Sequence, residues 1–210
     1  MSFHPRYSSG KPAFRWRVPC YLPDMTLPAR RTASYDYLVA LPEHVVGELV
    51  AGELHISPRP AIPHSLGASA LGATLLTRMQ FGDGGPGGWW ILDEPEIHLV
   101  DDVVVPDIAG WRRERLPAPS RDGFLTLAPD WICEVLSPST SRFDRTKKLP
   151  VYARAQVPNV WLLDPLNETL ETYRLEGEHW VLLATHGGDD VPRAEPFEMV
   201  ELGLKRLWGR

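Results

Sequence analysis

The sequence has only two cysteines, Cys20 and Cys133, and they lie far apart along the 210 residues. This scarcity argues against a disulfide framework, and neither cysteine has the neighbours that a zinc site requires. Cys133 falls inside an apolar run, where a small buried thiol is the usual occupant. No segment approaches the roughly 20 apolar residues of a membrane span, and the N-terminal residues lack a signal-peptide pattern. We therefore expect a soluble, cytoplasmic protein with no membrane partner.

The chain also lacks the basic excess that is typical of nucleic-acid-binding proteins, since its formal net charge is −5. The charge is uneven, however, because residues 112–154 carry nine basic and five acidic side chains, a local charge of +4. The potential near a cleft steers a polyanion more than the total charge does. The acidic total therefore does not exclude DNA as a partner.

With 43% hydrophobic residues, the chain can bury a substantial core, most simply as one domain with appended segments. Residues 1–30 are rich in Pro, Arg and aromatic residues without periodicity, which predicts an irregular N-terminal arm. Residues 31–187 are predicted to form the single domain. Residues 188–210 are predicted to form an acidic C-terminal tail.

The hydrophobic pattern predicts an α/β (α+β) fold, a mixed β-sheet flanked by helices. Helices are expected over 35–41, ended by Pro42, and over 65–79. The glycine-rich segment 81–88 lacks the ending of a phosphate-binding loop and is interpreted as a connection. The first hairpin, 45–58, is expected to form an antiparallel sheet with strands 89–92, 96–99 and 103–105, with Asp101-Asp102 as a turn. Strands 131–136 and 160–164 are expected to be a parallel pair, followed by a C-terminal hairpin over 170–184.

Two carboxylates stand out within this pattern. Residues 103–107 form a β-branched run that ends in Pro-Asp, and residues 131–136 form an apolar run with Glu134 in its middle. Removing a carboxylate from water is costly unless a cation or hydrogen-bond donors compensate, so Glu134 needs a partner. Asp107 is suited to share a divalent cation with it, and the basic segment 142–148 follows. Metal-assisted phosphodiester hydrolysis is therefore the leading hypothesis.

Three Pro-Asp dipeptides compete for the catalytic position, at Asp24, Asp107 and Asp130. Asp130 precedes Glu134 on one strand by roughly 13 Å, at about 3.3 Å per residue, which is too far to share one cation. We interpret Asp130 as a turn residue. Asp107 and Glu134 lie on different strands, and facing side chains of neighbouring strands approach to roughly 5 Å.

With these residues placed, the chain resembles the PD-(D/E)XK nuclease superfamily and, within it, the Uma-two family of putative restriction endonucleases. The resemblance covers about residues 32–185. Its motifs are Glu48-Leu49-Val50-Ala51-Gly52-Glu53-Leu54, Ser57-Pro58 with His64, Pro106-Asp107, Glu134-Val135-Leu136-Ser137-Pro138-Ser139-Thr140, Asp144-Arg145 with Lys148 and Tyr152, and Val157-Pro158-Asn159-Val160-Trp161-Leu162-Leu163-Asp164-Pro165.

The resemblance implies a restriction-endonuclease-like fold with Asp107 and Glu134 as metal ligands and Glu53 as a further carboxylate. It also implies that His64, Tyr152 and Asp144 line the site. On this basis Mg²⁺ or Mn²⁺ would be held by Asp107, Glu134, the Val135 backbone carbonyl and Glu53. DNA as the substrate follows from the resemblance as well.

The chain departs from the superfamily pattern at Leu136, where a lysine normally stands two residues after the glutamate. Lys148 matches a lysine of the Uma-two pattern in the following helix and is expected to orient the nucleophile or neutralise the transition state. Lys147 is the alternative. Pro150 should kink or restart this helix, which affects the direction of Lys148. Ala51 replaces the Asp that the family has before the hairpin glycine.

A second hypothesis is a non-catalytic module that keeps a nuclease fold for binding or assembly. Hydrophobic terminal strands, eight tryptophans and an acidic tail would suit a homodimer or another protein partner.

Overall fold

The structure of the protein is a computed structural model that describes residues 35–42 and 45–210. The predicted N-terminal arm and Asp24 lie outside these described residues. The described residues belong to one compact unit, residues 32–210. Among them, no helix combines the length and the apolar character that crossing a membrane would require.

The described chain contains ten strands and four α-helices. The strands are β1 Gly47–Val50, β2 Glu53–Ile56, β3 Trp89–Asp93, β4 Ile97–Leu99, β5 Asp102–Val104, β6 Ile108–Arg112, β7 Trp131–Val135, β8 Asn159–Asp164, β9 Thr169–Glu176 and β10 His179–Gly187. The helices are α1 Tyr35–Val39, α2 Ile62–Leu75, α3 Ser141–Phe143 and α4 Leu149–Arg154. Two π-helical turns, Leu76–Gln80 and Asp144–Lys148, and a 3-10 helix, Leu204–Trp208, complete the elements.

The strands form two sheets. Four strands, in the order β2-β1-β5-β4, make an antiparallel sheet. Six strands, in the order β10-β9-β8-β7-β6-β3, make the larger sheet. The larger sheet is mixed because β7 and β8 pair in parallel, whereas its other neighbouring strands pair antiparallel. The predicted mixed sheet, its parallel pair and the C-terminal hairpin are confirmed.

One strand lies in a different sheet from the one that the sequence predicts. β3 pairs with β6 in the larger sheet rather than with the first hairpin. The hydrophobic pattern does not predict β6, because its Ala109-Gly110 centre lacks β-branched residues. Strand β5 ends at Val104, two residues before Pro106, which has no N–H to give to a ladder. Asp107 therefore lies where the chain crosses from β5 to β6, immediately before β6.

The turn between β4 and β5 lies one residue earlier than predicted, at Val100 and Asp101. Asp102 instead begins β5. Its carboxylate accepts hydrogen bonds from the Ala51 backbone N–H at 2.7 Å and from the Arg154 guanidinium at 2.8 Å. These two contacts hold the tip of the first hairpin and the end of α4 against the small sheet.

The core has two parts, one on each face of the larger sheet. Along β7 and β8, Trp131, Cys133, Trp161 and Leu163 face one cluster, and Ile132, Val160 and Leu162 face the other. This alternation is the two-residue period of a strand. Glu134 points to the same face as Ile132, where the small sheet and α4 pack.

The segment predicted as an acidic tail packs into the core. Phe197 is 2% exposed, and its ring meets those of Trp89, Trp131 and Trp161 edge-on at centroid distances of 4.8, 5.0 and 5.6 Å. Leu202, Leu204 and Leu207 are buried beside it. The apolar residues that anchor this segment are irregularly spaced among five acidic and four basic residues, so the sequence shows no hydrophobic period there.

Candidate active site

A cavity of about 470 Å³ lies where β1, the β5–β6 crossing, the end of β7 and the helix after β7 meet. Its charged lining is mostly acidic. The carboxylates are Glu48, Glu94, Asp107, Glu134 and Asp144. The lining also includes two basic side chains, Lys148 and Arg59, and the histidine His64. Parts of the Ser-Pro segments 57–61 and 137–140 complete the lining.

Glu134 lies at the buried end of this cavity and is 1% exposed. Its Oε1 accepts a hydrogen bond from the Tyr152 hydroxyl and lies 2.9 Å from Lys148 Nζ. Burial raises the pKa of Glu134 well above its usual value, and the charges of Asp144, Asp107 and Glu48 add to this, although Lys148 opposes it. The cavity therefore favours a cation over a further negative charge.

Lys148 points into the cavity and is 3% exposed, whereas Lys147 is exposed to solvent. Its ammonium lies 2.9 Å from Glu134 Oε1 and 2.9 Å from Glu48 Oε1, and it donates to the Val105 carbonyl at 3.2 Å. Burial alone would lower the pKa of Lys148, but the carboxylates, Glu134 and Glu48 first, outweigh it and raise the pKa. Lys148 therefore stays protonated.

A π-helical turn gives Lys148 this direction. Pro150 has no N–H to bond the Thr146 carbonyl, so the regular α-helical pattern is interrupted at the position that the sequence indicates. The Leu149 N–H bonds the Asp144 carbonyl, five residues back, and an α-helix restarts at Leu149. Single π-turns of this kind are frequent at functional sites.

Asp107 is held by two neighbouring elements. Its Oδ2 accepts a hydrogen bond from the Val135 N–H at 2.7 Å, and its Oδ1 lies 3.1 Å from His64 Nε2. The pairing of Ile108 with Cys133 brings Asp107 next to Glu134 across the β6–β7 ladder. Asp130, the competing Pro-Asp residue, binds the Arg112 N–H and Arg115 and does not line the cavity. The Val135 N–H thus holds Asp107, and the Val135 carbonyl remains a predicted metal ligand.

The early carboxylate of the cavity is Glu48 and not Glu53. Glu48 is 3% exposed, and its Oε1 accepts the Val105 N–H at 2.8 Å besides contacting Lys148. Glu53 is exposed and does not line the cavity. The turn at Ala51 and Gly52, with φ of 53° and 74°, pairs Val50 with Glu53 and Glu48 with His55. Glu48 interrupts an apolar run in the way that Glu134 does, and that signal identifies it.

The predicted lining residues His64 and Asp144 both face the cavity, while Tyr152 reaches it through Glu134. Burial would lower the pKa of His64, but the contact with Asp107 and the charges of Asp144 and Glu94 raise it overall. Burial raises the pKa of Asp144 to about 6, against the opposing effects of Lys148 and a hydrogen bond from Thr140. The buried end of the cavity therefore holds more carboxylates than Lys148 can neutralise.

These carboxylates fit a hard divalent cation. Mg²⁺ is commonly held by one or two carboxylates together with water and substrate phosphates, rather than by an all-protein cage. The described part of the chain contains no group of three or more His, Cys, Asp or Glu side chains placed to hold one metal. Glu134 uses Oε1 for Tyr152 and Lys148, and Oε2 accepts no hydrogen bond from another described residue. An oxygen donor set of this kind suits Mg²⁺ or Mn²⁺ better than zinc.

A family model described as Uma2, "Putative restriction endonuclease", matches residues 35–205. Among solved structures, the chain is similar to a putative nuclease belonging to DUF820 from Anabaena variabilis ATCC 29413, with a TM-score of 0.65. The two share 22% sequence identity, and the match covers 84% of this chain and 98% of that chain. The comparison with curated proteins gave no match. The structural likeness shows a common fold, and since the family model spans most of the sequence, this chain belongs to the Uma2 family of putative restriction endonucleases.

Proposed function

We propose that this protein is a metal-dependent nuclease that hydrolyses phosphodiester bonds of DNA. The observation that carries the proposal is the meeting of Asp107, Glu134 and the buried ammonium of Lys148 in one cavity. A scaffold without catalysis has no evident need to gather these charges, because each of them loses its hydration there.

Asp107 and Glu134 would hold Mg²⁺ or Mn²⁺, with the Val135 carbonyl as a further oxygen ligand. The cation, when bound, lowers the pKa of a water molecule and stabilises negative charge on the phosphate oxygens. The Val135 N–H and His64 keep Asp107 in place, since each contacts one of its two carboxylate oxygens.

Lys148 acts as a hydrogen-bond donor and positive charge rather than as a base, because its raised pKa keeps it protonated. It stabilises the charge that develops on the reacting phosphate. Glu48 and the Val105 carbonyl fix its ammonium beside Glu134. Tyr152 has its pKa raised well above the usual value by burial and by Glu134, so it remains a donor that orients Glu134.

Supercoiled plasmid tests this proposal directly. The wild type should nick or cut the plasmid with Mg²⁺ or Mn²⁺ but not in EDTA, and Asp107→Ala and Glu134→Ala should each lose most of this activity. Glu53→Ala is the matched control, because it removes an exposed carboxylate outside the cavity. Cleavage by Glu134→Ala at the wild-type rate, after purification that excludes contaminating nucleases, would refute the mechanism.

A non-catalytic binding or assembly module is the second candidate function. It is favoured by the ion pairs of Lys148, which balance Glu48 and Glu134 as a structural network would. A calorimetric titration with Mn²⁺ separates the two. Metal binding that disappears in Asp107→Ala supports the nuclease, and an absence of binding by the wild type supports the module.

A further inference from the structure

We infer that Arg59 binds the phosphate backbone of the DNA at the exposed side of the catalytic cavity. This inference rests on the proposed nuclease function. It identifies the positive side chain that attracts the DNA phosphates to a cavity lined by carboxylates.

The charge balance of the cavity requires such a residue. Five carboxylates line it, and its buried cation, Lys148, already contacts Glu48 and Glu134. Phosphodiester oxygens are anionic, and like charges at close range repel each other more strongly near a protein surface than in water. Because Lys148 pairs with two of the five carboxylates, it does not balance the negative charge of the other three. A backbone phosphate entering the cavity therefore needs a positive group that the protein has not already neutralised.

Arg59 has the properties of that group. It is exposed, it lines the cavity, and it makes no hydrogen bond or ion pair with another residue that the structure describes. Among the lining residues it is the sole arginine. Pro58 and Pro60 flank it and restrict the backbone, which reduces the entropy lost when the side chain is ordered by a ligand. A guanidinium also matches the oxygens of a phosphate with two parallel hydrogen bonds.

The arginines of the basic window 112–154 do not serve this purpose, because most are engaged by the protein itself. Arg113 donates to the Trp89 and Gln80 carbonyls, and Arg115, Arg145 and Arg154 pair with Asp130, Glu171 and Asp102. None of these arginines lines the cavity. The local excess of charge in the sequence is thus largely used for folding, and Arg59 lies outside that window.

The test compares Arg59→Ala with Arg121→Ala, which removes an exposed arginine that does not line the cavity. Binding of a fluorescent DNA duplex is measured by anisotropy at several salt concentrations, with Ca²⁺ in place of Mg²⁺. The steady-state constants for cleavage are measured with Mg²⁺. Arg59→Ala should raise Kd and KM about tenfold, as expected for a lost charge-assisted hydrogen bond, and leave kcat within about twofold.

The salt dependence gives the sharper readout. Loss of one phosphate contact should reduce the slope of log Kd against log salt concentration by about 0.9 in Arg59→Ala. Arg121→Ala should keep the wild-type slope. Arg59→Lys should also keep it, since the charge remains, while binding more weakly because the paired hydrogen bonds are lost.

Two results would overturn the inference, and they are distinguishable. If the wild type cuts DNA but Arg59→Ala matches Arg121→Ala in Kd, KM and slope, Arg59 does not bind phosphate and the nuclease function stands. If the wild type neither binds nor cuts DNA, both the proposed function and the role of Arg59 fail.

Discussion

Replacing Lys148 with Met should destabilise the metal-free protein and remove most of its nuclease activity. Lys148 is 3% exposed, and its ammonium contacts Glu48 and Glu134 at 2.9 Å each. Breaking a buried ion pair by removing one partner typically costs about 3–5 kcal/mol, because the remaining charge has no compensation. For a domain of this size, that loss lowers Tm by roughly 10 °C. The catalytic loss should be on the order of 10²–10³.

Lys147→Met is the matched control, since it removes the neighbouring lysine from an exposed position. Urea unfolding in EDTA at pH 8 gives the stability of both variants, and the change for Lys147→Met should stay within about 0.5 kcal/mol. The deficit of Lys148→Met should be smaller at pH 5 than at pH 8, because the pKa of Glu134 is already raised and protonation neutralises this orphaned carboxylate.

Plasmid cleavage is then measured at 20 °C or another temperature at which circular dichroism shows both variants to be folded. If Lys148→Met equals Lys147→Met in both stability and cleavage rate, the assignment of Lys148 to the site is wrong. If Lys147→Met alone loses activity, the assignment is displaced by one residue.

Glu48→Gln should lower plasmid cleavage about tenfold because it weakens the hold on Lys148, whereas Glu53→Gln should leave it unchanged; equal rates would contradict the role of Glu48. Phe197→Ala should lower the free energy of unfolding by about 3–5 kcal/mol, against about 0.5 or less for the exposed Met199→Ala, in urea titrations. A fully stable Phe197 variant would show that the C-terminal segment does not anchor the core. Because the pKa of Asp144 is raised to about 6 in the fold, its ionisation removes stability as the pH rises from 4 to 7. In EDTA, the free energy of unfolding of Asp144→Asn should therefore rise relative to that of the wild type by up to about 3 kcal/mol between pH 4 and pH 7. Parallel pH profiles of the unfolding free energy for the two proteins would refute this.

Much of the fold follows from local pattern. The first hairpin, the long helix after it, the parallel pair and the C-terminal hairpin all have strong two-residue or helical periodicity, and each lies where the pattern places it. β6 and the buried C-terminal segment are not predicted. The first has a small-residue centre, and the second has apolar residues at irregular spacing among charged residues and prolines, so neither shows a hydrophobic period.

The site is predictable where a charge interrupts an apolar run. That signal indicates Glu134 and applies equally to Glu48, but the resemblance to the family directs attention to Glu53 instead. Both glutamates lie on the same face of the hairpin, because Val50 pairs with Glu53 and Glu48 with His55. Glu48 is on β1, which lies between two other strands, whereas Glu53 is beside the turn on the edge strand β2, so only the packing of the small sheet decides which one enters the cavity.

The sequence by itself determines the chemistry available to this protein: acidic residues inside strands, a lysine displaced into the following helix, and a proline that interrupts that helix. Tertiary structure alone decides which of these groups meet. Asp107 approaches Glu134 because the chain changes sheets at Pro106, and Lys148 reaches both Glu48 and Glu134 because a π-turn rotates it inward. Contacts between residues far apart in sequence depend on how sheets and helices pack, and local periodicity carries no information about that packing.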